Sequence, residues 1–200
     1  MRLVRGAVLG MTFLICLEAW AQDRARFSTP ETDLAVTYAA LRGNAVAGES
    51  FWAQGGSAEL MATFYHGLGV AACVEGTHAA NVSSSRVNVD LVTATFGPTF
   101  SFTLPARKLP AGSFARTRIF SEALIGVVNA VDGVYPSSSG SSSTANAMAL
   151  RLGSGADVAL SRHLAVRLVQ ADWLRTTLPN TTSNVQNNLR LGAGVVIRFR

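Results

Sequence analysis

The sequence predicts an all-β protein, a closed antiparallel up-and-down transmembrane β-barrel of eight strands. Three observations lead there. The 200 residues are 48% hydrophobic and only 14% charged, with a mean hydropathy of +0.27, a more apolar balance than water-soluble domains carry. Past residue 21 the chain has no run of about 18 apolar residues from which a membrane helix is made. Instead, apolar residues recur at every second position over segments of about ten residues, the period of a strand with one apolar face.

Residues 1–21 have the layout of a secretory signal peptide. Arg2 and Arg5 give the positive start, residues 6–17 the apolar run, and Ala19-Trp20-Ala21 the small-x-small cleavage site. About 12 apolar residues are too few to span a bilayer. Phe13-Leu14-Ile15 lacks the small residue that lipoprotein processing requires before Cys16. Cleavage removes Cys16 and leaves Cys73 without an intrachain disulfide partner, despite export to an oxidising compartment. Residues 22–32, polar and carrying Pro30, read as a flexible N-terminal segment. Residues 33–200 form one barrel domain.

The first strand, 33–41, alternates Leu34, Val36, Tyr38 and Ala40 against Ala35, Thr37 and Ala39. The second, 57–65, sets Ala58, Leu60, Ala62 and Phe64 against Glu59, Met61 and Thr63, and His66-Gly67-Leu68-Gly69 turns it into a third, 70–78, which carries Glu75 opposite Val74. A fourth strand, 89–102, holds Phe96, Pro98, Phe100 and Phe102 on one parity, with Pro98 expected to disturb its pairing. The fifth, 116–128, places Ile119, Ala123, Ile125 and Val127 opposite Arg118 and Glu122. The sixth, 146–158, sets Met148, Leu150 and Leu152 opposite Arg151 and Asp157. The seventh, 164–175, mixes its parities, as a bulge or register shift would make it do. In the eighth, 189–199, Leu189, Leu191, Ala193, Val195, Ile197 and Phe199 alternate with Arg190, Gly192, Gly194, Val196 and Arg198. Segments 44–56, 79–88, 130–145 and 176–187 are left as the longer outer loops; the serine- and glycine-rich run 136–144 cannot bury a core.

The polar faces collect charge. Glu59, Glu75, Glu122, Asp157 and Asp172 share the expected lumen with Arg118, Arg151, Arg190 and Arg198. Eight strands enclose space just wide enough for side chains, so these nine residues are expected to pair into a structural plug rather than an ion path. A soluble barrel carrier would have the opposite arrangement, apolar inside and polar outside. Tyr38, Phe96, Phe100, Trp173 and Phe199 are candidates for interfacial aromatic girdles. The net charge of +5 raises nucleic acid as a partner, but the arginines are scattered and form no basic stripe. His66, His78 and His163 give neither metal-ligand spacing nor a placed triad with Ser83, Ser84 or Ser85. The reading is therefore of a non-enzymatic protein without catalytic, metal or cofactor residues, with a lipid A-modifying barrel enzyme as its rival.

Three segments, Val36-Thr37-Tyr38-Ala39-Ala40-Leu41-Arg42, Gln170-Ala171-Asp172-Trp173-Leu174 and Asn187-Asn188-Leu189-Arg190-Leu191-Gly192-Ala193-Gly194-Val195-Val196-Ile197-Arg198-Phe199, in this order and spacing, resemble the OmpA-like eight-stranded outer-membrane β-barrels. The likeness covers the whole mature chain and is strongest to the stand-alone barrel-domain proteins of the porin-like superfamily. It implies residence in the outer membrane of a Gram-negative bacterium, contact with outer-membrane lipid and lipopolysaccharide, and handling by periplasmic chaperones and the outer-membrane assembly machinery. It also implies that Phe199 is the terminal aromatic residue that machinery recognises, although Arg200 follows it. The role implied is an envelope component or a platform whose outer loops meet other surfaces; no extracellular ligand is implied.

Cleavage is expected after Ala21, where the apolar run ends and Gln22-Asp23-Arg24 begins a hydrophilic stretch. Amino-terminal sequencing of the exported protein should start at Gln22, and a start at Met1 would remove the signal peptide from this account.

Overall fold

The computed structural model describes residues 31–46, 49–82, 87–105, 107–108, 114–132, 135–137, 140–179 and 184–199. The expected signal peptide and the polar lead as far as residue 30 lie outside the described residues.

Eight strands build the wall: β1 (Glu31–Val46), β2 (Glu49–Tyr65), β3 (Leu68–Val82), β4 (Val87–Thr103), β5 (Thr117–Val131), β6 (Ala145–Ala159), β7 (Leu164–Thr176) and β8 (Gln186–Phe199). Each pairs antiparallel with the next, and β8 pairs with β1 to close the barrel. Two small hairpins stand outside the wall. Arg107–Lys108 pairs with Phe114–Ala115 between β4 and β5, and Tyr135–Ser137 pairs with Gly140–Ser142 between β5 and β6.

Ladder partners can be followed around the wall from Thr117 through Val158, Val166, Val195, Val36, Ala58, Val74 and Ala94. The circuit returns to β5 at Val127, ten residues above its start. With a rise of about 3.3 Å per residue and strands about 4.8 Å apart, that stagger tilts the strands by roughly 40°. The outward residues of β8 from Leu189 to Phe199 then cover an apolar band about 25 Å tall, the height of an outer-membrane hydrocarbon layer. Polar outward residues begin above it, among them Gln54, His78, Asp90, Asn146, Arg175 and Asn187. Of the expected girdle aromatics, Phe100 and Phe199 lie toward the turn end and Trp173 toward the loop end. Tyr38 and Phe96 sit nearer mid-strand, Phe96 beside Ala72 and Ile125.

The inside and outside are the reverse of a soluble protein. Phe96 is 66% exposed and Val36 54%, whereas Arg190, Arg167 and Asp157 are at most 1% exposed. Strand parity explains this through the lipid band except in β7, where a bulge intervenes; other register shifts lie at strand ends, as between Ala79 and Val82, both buried. Arg167 pairs with Gly194 and Gln170 with Gly192, so Leu168 and Val169 share the single space opposite Ala193. Both point outward, and the parity reverses across them. The mixed alternation of this strand thus has a physical cause.

Pro98 does not end β4. It pairs with Val70 on β3, while the ladder to β5 skips from Phe96–Ile125 to Thr99–Glu122 without changing register. Proline lacks the N–H that one neighbour would accept, so the gap is confined to that side. At the His66–Gly67 turn both residues have positive φ, 44° and 88°, as a two-residue hairpin of the mirror-image type requires.

The expected loops at 44–56 and 79–88 are corrected: β1 runs to Val46 and β2 begins at Glu49, while β3 runs to Val82 and β4 begins at Val87. Above the lipid band the outward residues turn polar while the inward ones turn apolar, so the lipid-facing alternation stops before the hydrogen-bonded ladder does.

Val195 faces lipid next to the middle of this band, so its replacement by arginine should cost about 2–4 kcal/mol. Urea titration of refolded protein should show V195R strongly destabilised and V195L close to wild type. G194S should also lose stability for a different reason, because a side chain there meets the Val36 carbonyl across the ladder.

Candidate functional site

The feature that sets this barrel's properties is its filled lumen, built from the inward positions of all eight strands. Near the turn end, Arg118 on β5 reaches Asp33 on β1 at 2.5 Å, and Arg198 on β8 approaches the same carboxylate at 4.0 Å. Arg118 also donates to the Met61 sulfur at 3.0 Å.

Above this lies the central cluster. Arg167 donates to Asp157 at 2.9 Å, to Glu59 at 2.7 Å and to the side-chain oxygen Oε1 of Gln170 at 3.0 Å. Its guanidinium lies over the Phe120 ring, 4.1 Å from the centroid. That ring occupies space left by Gly155, where a Cβ would stand 2.5 Å from Phe120 Cζ. Gln170 donates to Glu122 at 3.0 Å. Arg151 Nη2 touches three carboxylates, Glu59 at 3.2 Å, Glu122 at 3.0 Å and Asp172 at 3.1 Å, while Nη1 donates to the Cys73 sulfur at 2.9 Å.

Asp172 carries the chain of charges upward to Arg190 at 2.6 Å. Arg190 is also paired with Glu75, and it donates to Ser57 at 2.7 Å and Thr37 at 3.2 Å. Gly153 leaves room for the Asp172 carboxylate. Beyond Arg190 the interior changes character. Leu41, Ala53, Ala79, Val82, Val89, Leu91, Val128, Leu174 and Leu178 form an apolar cluster at the loop end, with Tyr135 from the small hairpin packed among them.

All nine charges expected in the lumen face inward and are buried. Glu59, Glu75, Glu122, Asp157, Asp172, Arg151 and Arg190 fall into one connected cluster, while Arg118 and Arg198 meet at Asp33. Asp33, Arg167 and Gln170 had not been singled out. Asp33 shares parity with Ala35 and Thr37, so its strand alternation was enough to find it. Arg167 was hidden by the bulge, since it is out of step with Asp172 in sequence yet faces the same lumen. Phe199 ends β8 on the outer surface opposite Thr32.

Outside the lumen, His78 and Asp90 pair at 2.5 Å on the outer face of β3 and β4, above the apolar band. This is an acid–imidazole pair, two of the three members of a hydrolytic triad. Among the described residues no hydroxyl or thiol hydrogen-bonds to His78, and no group of His, Cys, Asp and Glu is arranged to hold a metal.

Neither a protein-family model nor a curated protein matches the chain. Solved structures do. Ail, the attachment invasion locus protein of Yersinia pestis, is 15% identical over 86% of this chain and 100% of its own, with a TM-score of 0.52. Neisserial surface protein A is 13% identical over 86% of this chain and 98% of its own, with a TM-score of 0.56. The likeness is one of fold, a small eight-stranded barrel of the outer-membrane type.

Removing the Arg151 guanidinium leaves Glu59, Glu122 and Asp172 facing one another with one cation fewer. R151M should therefore cost about 3–5 kcal/mol, and adding E122Q to R151M should recover part of the loss. Equal urea midpoints for wild type and R151M would show that the lumen charges are not interdependent.

Proposed function

We propose that the protein is a non-enzymatic component of the outer membrane of a Gram-negative bacterium, a sealed barrel that presents its loop end outward and its turns and termini to the periplasm. In this role it is an envelope structural component or a platform for loop-mediated contacts, as the OmpA-like resemblance suggests. Its surroundings are outer-membrane lipid and lipopolysaccharide. Periplasmic chaperones and the assembly machinery deliver it after the signal peptide is removed, with Phe199 as the recognition residue.

The observation that carries the reading is the chain of charges across the lumen. Arg151 on β6 and Arg167 on β7 reach Glu59 on β2, and Arg190 on β8 reaches Glu75 on β3. These links tie opposite walls together through the space a pore would need. Unpaired charges there would be costly, and the apolar cluster closes the loop end above them. No continuous water path of porin width fits within eight strands so filled.

A second reading, a lipid A-modifying enzyme, draws on the His78–Asp90 pair above the apolar band. It needs a nucleophile beside His78. Mass spectra of lipid A from cells with and without the protein distinguish the two readings.

The expressed protein should fractionate with outer membranes and migrate faster in gels before heating than after it. In planar bilayers the purified full-length protein should give little or no steady conductance. Large, stable, porin-like steps would overturn the sealed lumen.

A further inference from the structure

The connections at the two ends of the barrel differ in charge; Glu31, at the turn end on β1, belongs to none of them. The connections at the loop end, taken as residues 42–54, 78–90, 129–146 and 175–187, carry Arg42, Arg86 and Arg175 against Glu49, Asp90 and Asp132, and so balance. The connections at the turn end, residues 65–69, 103–117 and 159–164, carry Arg107, Lys108, Arg116 and Arg162 and no carboxylate.

The connections that carry them lie side by side. The Arg116 carbonyl accepts from the Ala159 amide at 3.0 Å, which joins the β4–β5 connection to the β6–β7 turn. The Thr117 carbonyl holds the Leu104 amide at 2.8 Å in the same place. Arg116 and Arg162 are exposed. Beside them Leu104 and Leu160 are 40% and 63% exposed at the edge of the apolar band. Arg107 and Lys108 lie in the hairpin that grows from the same connection. Exposed leucines next to unopposed arginines, at the level where hydrocarbon gives way to headgroups, suit an anionic lipid surface.

We infer that this basic sector of the turn end binds anionic phospholipid headgroups of the periplasmic leaflet, with Arg116 and Arg162 contacting the phosphates and Leu104 and Leu160 entering the acyl boundary. The inference rests on the proposed outer-membrane orientation. It gives the barrel a fixed depth and a preferred lipid neighbour along β4 to β7.

The test uses the full mature chain refolded in detergent micelles, with native mass spectrometry of lipids retained from equal mixtures of phosphatidylglycerol and phosphatidylcholine. Wild type should retain phosphatidylglycerol preferentially. R116Q/R162Q should reduce that preference by about fivefold for each arginine lost, while R42Q/R175Q at the loop end should leave it unchanged. Undiminished preference in R116Q/R162Q, or an equal fall in R42Q/R175Q, overturns the inference. If wild type is heat-modifiable but shows no preference, the barrel stands and the lipid site fails. If it is not heat-modifiable, the outer-membrane reading fails and takes the site with it.

Discussion

Every other feature of this protein depends on the ladder between β1 and β8. In hydrocarbon there is no water to satisfy the polar groups of an open sheet edge, and each unsatisfied group costs several kcal/mol. Pairing from Thr32–Phe199 to Arg42–Leu189 removes both edges at once. The same closure creates the lumen and makes it narrow, so whatever the inward positions carry must fit and must be matched. It also brings Asp33, near the start of the described chain, close to Arg198, near its end.

A charged interior is a poor route to stability, because desolvation offsets most of the attraction between buried ions. Its value here is that it distinguishes the two faces of the wall. A strand that slipped by one residue would carry Arg190 or Asp172 into lipid and bring Leu191 or Trp173 into the lumen. The glycines at 153 and 155 fit the same scheme, since they free the space that Asp172 and Phe120 occupy. Bulky apolar residues inside would fill the lumen equally well but leave strand register less strongly determined.

The wall was largely legible from the sequence. Eight alternating segments correspond to eight strands, because lipid on one side and packed polar groups on the other impose a period of two that few other environments produce. Strand ends were less legible, since alternation records the hydrocarbon boundary and not the end of the ladder; residues 49–56 are strand without being lipid-facing throughout. The lumen network was read from parity alone, which finds Arg190 and Glu75 but fails where parity breaks. One inserted residue at Leu168–Val169 conceals Arg167, a residue with contacts to Asp157, Glu59 and Gln170. Which carboxylate each arginine chooses depends on stagger around the wall, a property of all eight strands together.

Cys73 lies inside the wall, 2% exposed, with its sulfur against Arg151. Its thiol is out of reach once the sheet has closed and open to reagents before it does. Any mixed disulfide formed on it before closure would have to be accommodated or reversed before the lumen can fill.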